Sequence, residues 1–396
     1  MKTKKIVLIL SAILLALLVS EYVWFRKGGM QTKKSEAQEA KTKKPEARET
    51  IFDRVVSIPK KLVFDVPQLP PLCDEIMGLN KGLAIVENGG RIYYEEEGHG
   101  IPLVLINGGP GCTHQGFHPY FSQLRDYAHL IYYDQRGTGR SSRDATGKTY
   151  TIKQAVEDLE GLRKSLGINR WAVLGWSYGG LLAQCYALMN PDRVMGLILV
   201  ATQFGLSEPV TKPEWQRSFF SQAEWDALEN IQKKSGPSGI FQTAAQVAYN
   251  RDLAGGWKYN FYHKPTSDDL FRKALYGYNS TPDFEEHIRA EIYKIDLRGK
   301  FADFEIPTLI IEAKWDLLLG TTDRIEIMRK NHPHATVAVF EKSGHTVFAD
   351  EPEKFFSLVR DFLKKTSKTT ITYRPGKQLT WPAYCDQAPF ARYQKE

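Results

Sequence analysis

The chain of 396 residues has only four cysteines, Cys73, Cys112, Cys185 and Cys385, and none stands at metal-ligand spacing from another. A cysteine-built metal centre is excluded. Three disulfide pairings stay open. Cys73 and Cys385 lie in flanking segments that a bond would staple together, whereas Cys112 and Cys185 read as buried thiols. Basic charge is scarce outside one place. The formal net charge is +7, yet residues 1–50 hold eleven Lys and Arg against five Glu, which accounts for +6 of it. The remainder is nearly neutral and lacks the basic stripe that phosphate recognition needs, so nucleic acid is excluded as a partner. No internal repeat is present.

Long apolar runs are confined to the N-terminus. Lys2, Lys4 and Lys5 precede Ile6 through Val19, broken only by Ser11; Glu21 interrupts, and Tyr22-Val23-Trp24-Phe25 continue to Arg26-Lys27. Counted from Ile6 to Phe25, a helix would span about 30 Å, enough for a bilayer. Counted only to Val19, it is a signal-peptide core. No Ala-x-Ala site follows, and aromatic residues sit where an interfacial belt would be, which favours an uncleaved anchor over residues 1–27. Either reading exports the protein, as a membrane-anchored or secreted form with its catalytic domain extracytoplasmic. Residues 28–50, nearly without apolar content, read as a polar linker.

Against these absences stands one dense signal. Arg170-Trp171-Ala172-Val173-Leu174 reads as a buried strand, Gly175-Trp176-Ser177-Tyr178-Gly179 follows, and Gly180 to Met189 reads as a helix ending at Asn190-Pro191. Strand, G-x-S-x-G, helix forces a serine onto a sharp turn above a sheet, at a helix N-terminus where a backbone N–H can meet an oxyanion. Such a serine needs a base, and the base an orienting acid. Asp316 follows the strand pattern Pro307–Glu312, and His345 follows Ala335–Phe340, so each lies past the carboxyl end of a strand, where open α/β sheets build their sites. Asp303 precedes its strand, Asp323 lies in a helical pattern, and His332 and His334 lead into a strand. Val104 to Gly111 is a strand entering a glycine-rich loop. The Lys-Ser/Thr of a phosphate-binding loop is missing after it.

Asn107-Gly108-Gly109-Pro110-Gly111, Asp134-Gln135-Arg136-Gly137-Thr138-Gly139-Arg140-Ser141 and Gly175-Trp176-Ser177-Tyr178-Gly179-Gly180 together resemble the proline iminopeptidase (prolyl aminopeptidase) family of α/β-hydrolases. The resemblance covers roughly residues 80–205 and 305–365. It implies a mostly parallel central sheet flanked by helices, with an inserted helical cap. It also implies Ser177 as nucleophile, Asp316 as orienting acid, His345 as general base, and an oxyanion hole from the N–H groups of Gly109 and Tyr178. No metal or organic cofactor is implied. Asn107 stands where the family has His, a change that leaves the backbone donors of the loop in place.

The expected organisation is a core of 51–204 and 305–365, a cap over 205–304 and a tail over 366–396. Family members with aminopeptidase activity carry a Trp-x-x-Trp-Glu element that holds the substrate amine, and no clean copy exists here. Glu208, Glu214, Glu224 and Glu229 are candidate amine anchors, with a solvated helix face as the bland alternative for each. The implied activity is release of N-terminal residues, of the prolyl type, from short peptides. A carboxylesterase or broad amidase on the same scaffold is the alternative, and an inactive binding protein is the alternative of another class.

Overall fold

The computed structural model describes residues 58–65, 79–202, 213–235, 239–241, 244–266, 268–270, 279–280, 282–320 and 322–367. The apolar Ile6–Phe25 segment, Cys73, Cys385, Glu208 and the tail beyond 367 lie outside these residues. Among the described residues no helix is long and apolar enough to cross a membrane.

An eight-stranded sheet organises the chain, in the order β1-β2-β4-β3-β5-β6-β7-β8. Strands β1 (Asn80–Ile85) and β2 (Arg91–Glu97) pair antiparallel, and β2 pairs antiparallel with β4 (Ala128–Tyr133). From β4 onward the pairing is parallel, through β3 (Ile101–Ile106), β5 (Trp171–Trp176), β6 (Val194–Val200), β7 (Thr308–Ala313) and β8 (Thr336–Phe340). Parallel strands covered on both faces read as continuous apolar runs, which is why Leu103–Ile106, Ala172–Leu174 and Leu197–Val200 are fully buried.

Two apolar layers follow from that burial. Helices α1 (Ile152–Ser165) and α2 (Tyr178–Met189) contribute Val156, Leu159, Leu162, Leu181 and Leu182 to one. Phe117, Phe121 and the later helix Pro352–Thr366, through Phe355, Phe356 and Val359, build the other. Thr151 caps α1 by accepting from the Gln154 N–H at 3.1 Å, while the Gln154 amide donates forward to Asp158 Oδ1 at 3.0 Å. Cys112 and Cys185 are buried thiols.

The chain divides into two compact units. The sheet unit holds described residues 79–202 and 259–367. The second holds 58–65 and 213–258, with helices α3 (Pro213–Arg217), α4 (Gln222–Lys233) and α5 (Ala244–Leu253). The interval 205–304 thus contributes to both units. In the second, the Asn250 side chain pairs with Val63 as a strand would, donating to its carbonyl and accepting from its N–H, each at 2.7 Å. Back in the sheet unit, α6 (Pro282–Ile292) and α7 (Thr322–Asn331) flank the approach to the last two strands, and α8 (Val347–Asp350) precedes α9 (Pro352–Thr366).

What positions the serine turn is a close approach of α2 to the end of β3. A methyl group added at Gly179 would run into the carbonyl oxygens of Ile106 and Asn107, and one at Gly175 into the Gly179 carbonyl. Glycine is required there for space. Gly179→Ala should therefore destabilise the sheet unit by roughly 2 kcal/mol or more, since the obstacles are backbone atoms. Chemical denaturation is the measurement, and a variant as stable as the parent would contradict this packing.

Candidate active site

Ser177 connects β5 to α2 with φ 57° and ψ −126°, a conformation a non-glycine residue adopts only when its surroundings force it. The surroundings do so through three bonds. The Ser177 N–H donates to Val200 O at 2.9 Å, and its carbonyl accepts from the Gly180 N–H at 2.9 Å and from Thr202 Oγ1 at 2.6 Å. Tyr178 is the first residue of α2, whose leading N–H groups have no partner within the helix.

Opposite the turn lies the glycine loop after β3. Ser177 Cβ would be only 3.1 Å from a methyl placed on Gly108, so the two segments are in contact. Gly109 has φ +119°, and a side chain there would strike the Gly111 and Cys112 nitrogens. The Asn107 amide donates across the loop to the Cys112 carbonyl, so the residue that departs from the family pattern braces the loop from within. Glu285 on α6 also reaches it. Its Oε1 would lie 3.1 Å from a methyl on Gly111, and it accepts from Ser280 Oγ at 2.8 Å.

Asp316 and His345 are directly joined, with His345 Nδ1 2.8 Å from Asp316 Oδ2. The other oxygen of Asp316 accepts the Leu318 and Leu319 N–H groups, both at 2.9 Å. Burial pushes Asp316 up, but His345, Arg324 and these N–H donors outweigh it and hold the carboxyl below its usual range. The His345 loop is fixed from two sides. The Gly344 N–H donates to Asp350 Oδ2 at 2.8 Å and the Thr346 N–H to Asn260 O at 2.7 Å. Trp176, the neighbour of Ser177, donates from its indole to the His345 carbonyl at 2.9 Å. With Nδ1 committed to Asp316, Nε2 of the imidazole is the atom that can exchange a proton. His332, by contrast, is stacked on Phe301 without a hydrogen-bond partner, and burial lowers it to about 4.

The Asp134–Ser141 motif is tied to the segment that follows the glycine loop. Asp134 accepts from the His114 N–H at 3.0 Å and from the Arg140 N–H at 2.8 Å, and contacts His114 Nδ1 at 2.7 Å. Arg136 reaches α1 through two bonds to Asp158, at 2.8 and 2.7 Å. His114 and His118 both face Glu95, at 3.1 and 3.0 Å. Burial raises Glu95, but the bonds from His114 and His118 prevail and hold it far below the carboxylate range. These three side chains bring their donor atoms within 4.8 Å of one another, the ligand set of a zinc site. The Tyr93 hydroxyl donates to the same carboxylate at 2.6 Å and Arg140 lies 4.0 Å from it, so the set is already occupied as a buried ionic brace.

Three of the candidate amine anchors, Glu214, Glu224 and Glu229, belong to the second unit. Glu214 is exposed on α3, and Glu229 is exposed on α4, where it accepts from the Trp225 indole at 2.9 Å. Glu224 closes a capping box with Ser221 and pairs with buried Lys258 at 2.7 Å. Sequence reasoning passed over Thr202, Glu312, Arg324, Glu95 and His114. Only the position of Thr202 and Glu312 at strand ends could have drawn notice.

The family described as alpha/beta hydrolase fold matches residues 101–352. The protein is 30% identical to the proline iminopeptidase of Saccharolobus solfataricus over 69% of this chain and 89% of that one. It is 39% identical to the proline iminopeptidase of Neisseria gonorrhoeae over 69% and 93%. A solved esterase from Exiguobacterium antarcticum shares the fold, with TM-score 0.55 and 22% identity over 71% of this chain and 98% of that one. Fold and site define an α/β-hydrolase-fold enzyme. The chain belongs to the proline iminopeptidase family of that class.

Glu224→Gln keeps a residue able to complete the capping box but strands Lys258. We expect a loss of about 3 kcal/mol in stability, as for other broken buried pairs. Selectivity for a free over an N-acetylated substrate amine should not change. A stable variant with lost amine selectivity would return Glu224 to the list of anchors.

Proposed function

We propose that the protein is a serine hydrolase acting through Ser177, His345 and Asp316, and that it releases N-terminal residues, proline foremost, from short peptides. The observation that carries the reading is the 2.8 Å bond between His345 and an ionised, buried Asp316, tied through the Trp176 indole to the strained turn that bears Ser177. In this reading Ser177 Oγ attacks the substrate carbonyl carbon and its proton passes to His345 Nε2. Asp316 fixes the tautomer and steadies the imidazolium. The N–H groups of Gly109 and Tyr178 receive the oxyanion. The leaving amine departs with the proton from His345. Water, deprotonated by the same imidazole, then attacks the acyl-enzyme carbonyl and frees Ser177.

The peptidase reading requires an acid for the substrate amine. Glu285 is the best placed, being in the sheet unit and against the glycine loop. Glu208, Glu214 and Glu229 remain further candidates. Esterase or broad amidase activity is the second reading, favoured by the missing Trp-x-x-Trp-Glu element and by the commitment of Glu224 to Lys258. An inactive binding scaffold is disfavoured because serine, acid and base are all in place. For location, the basic-flanked Ile6–Phe25 segment supports a membrane-tethered, extracytoplasmic hydrolase.

Ser177→Ala and His345→Ala should abolish labelling by a fluorophosphonate probe in folded protein, and Asp316→Asn should lower turnover by about 10⁴. Full turnover by Ser177→Ala would contradict the assignment. Prolyl and alanyl anilides should be cleaved much faster than their N-acetyl forms, a preference that Glu285→Gln reduces. Equal rates, with brisk hydrolysis of p-nitrophenyl esters, would select the esterase. Fractionation should find the full-length protein in membranes and protein lacking residues 1–50 in the soluble fraction. Intact full-length protein in the cytosol would overturn the location.

A further inference from the structure

Arg324 and Glu312 form a buried ion pair. Glu312 is fully buried near the end of β7, beside Ile310, Ile311 and Ala313. Arg324, 1% exposed on α7, meets it at 2.5 Å. The pair is incompletely satisfied, since Glu312 Oε1 and Arg324 Nε have no hydrogen-bond partner. Apolar residues of similar volume commonly serve stability as well as or better than such a pair. Its location suggests another use.

Two further contacts leave the guanidinium. Nη1 donates to the Thr202 carbonyl at 2.8 Å, and the Thr202 hydroxyl donates to the Ser177 carbonyl at 2.6 Å. Nη2 lies 3.8 Å from Asp316 Oδ2, the oxygen that holds His345. One buried cation therefore touches both halves of the site. Through Thr202 it reaches the serine turn, and directly it reaches the acid. We propose that Arg324 is a positioning residue of this hydrolase, anchoring the Ser177 turn through Thr202, and that Glu312 balances its charge so that it does not oppose protonation of His345. This rests on the reading of Ser177, His345 and Asp316 given above.

The electrostatics follow from four groups. Arg324, Asp316 and, through Asp316, His345 are the charged or titratable partners of Glu312. When His345 takes the serine proton, a cation forms beside Asp316. Arg324 repels that cation unless Glu312 is ionised. Burial raises Glu312 to about 7, with Arg324 pulling it down and Asp316 pushing it up, so its balancing charge is present above neutrality and lost below. With Glu312 neutral, the set loses one negative charge and His345 holds a proton less well.

The experiment compares E312Q and the double variant R324M/E312Q with the parent. The readouts are kcat and KM against pH on an alanyl anilide or p-nitrophenyl acetate, per fluorophosphonate-titrated site. E312Q should move the acid limb of kcat/KM to lower pH by up to about half a unit, most in its neutral part, where the parent still holds Glu312 ionised and the variant leaves Arg324 unbalanced. The double variant restores the net charge, so its limb should return toward the parent. Its kcat should still fall about tenfold or more with KM little changed, because Thr202 has lost its anchor. An unmoved limb in E312Q overturns the charge-balancing role, and a parental kcat in the double variant overturns the anchoring role. If E312Q fails to fold, the neutral double variant decides by its kcat alone. Probe labelling that survives in Ser177→Ala would instead mark failure of the underlying triad, whereas labelling confined to Ser177 with unmoved kinetics would mark failure of this inference alone.

Discussion

The close contact between the N-terminus of α2 and the end of β3 is the constraint on which the site depends. Gly179 lets the helix approach the Ile106 and Asn107 carbonyls, and the same approach brings Ser177 Cβ against Gly108. The conformation of Ser177 is expensive for any residue with a side chain. It persists because Val200 at the end of β6 accepts its N–H, while Thr202 just past β6 and the Gly180 N–H of α2 hold its carbonyl. A serine on a flexible loop would lose this exposure and its fixed relation to the glycine loop. Preorganisation of this kind is the form of catalytic stabilisation that requires no rearrangement at the moment of reaction.

A second theme is buried charge. Asp134, Glu95, Glu312, Asp316 and Asp350 are all buried, and they share partners: His114 meets both Asp134 and Glu95, and Arg324 meets both Glu312 and Asp316. Asp134 and Glu95 are stabilised as anions by His114, three residues past the glycine loop. Asp350 accepts three backbone N–H groups, yet burial still raises it to about 6 while it holds the His345 loop. The apolar layers give the fold its stability, and these acids hold loops and strands to one another through directed bonds. In that role burial of charge has a purpose beyond cohesion.

How much of this the sequence disclosed depends on the range of each interaction. The strand before Gly175, the helix after it and the placement of Asp316 and His345 past strands were legible because each is a local pattern. The parallel sheet was legible because its strands are unbroken apolar runs. Arg324 was not, since an arginine in a helical stretch eight residues after Asp316 looks like a solvated face until the fold closes over it. Glu312 looked like the polar end of a strand. Glu224 looked like an amine anchor or a solvated helix face, because its partner Lys258 is 34 residues away and nothing local announces the pair. Asn107 looked like a lost motif residue, whereas its amide braces the loop it opens.

The central claim is that Ser177 forms a covalent acyl intermediate with the substrate. Acid-quenching the protein during turnover of a prolyl ester and mapping its peptides by mass spectrometry tests this most directly. The account predicts a prolyl adduct on the peptide containing Ser177, transient during turnover and trapped by the acid quench. Continued turnover with no adduct on that peptide under any quench, or an adduct on a different residue, would contradict it.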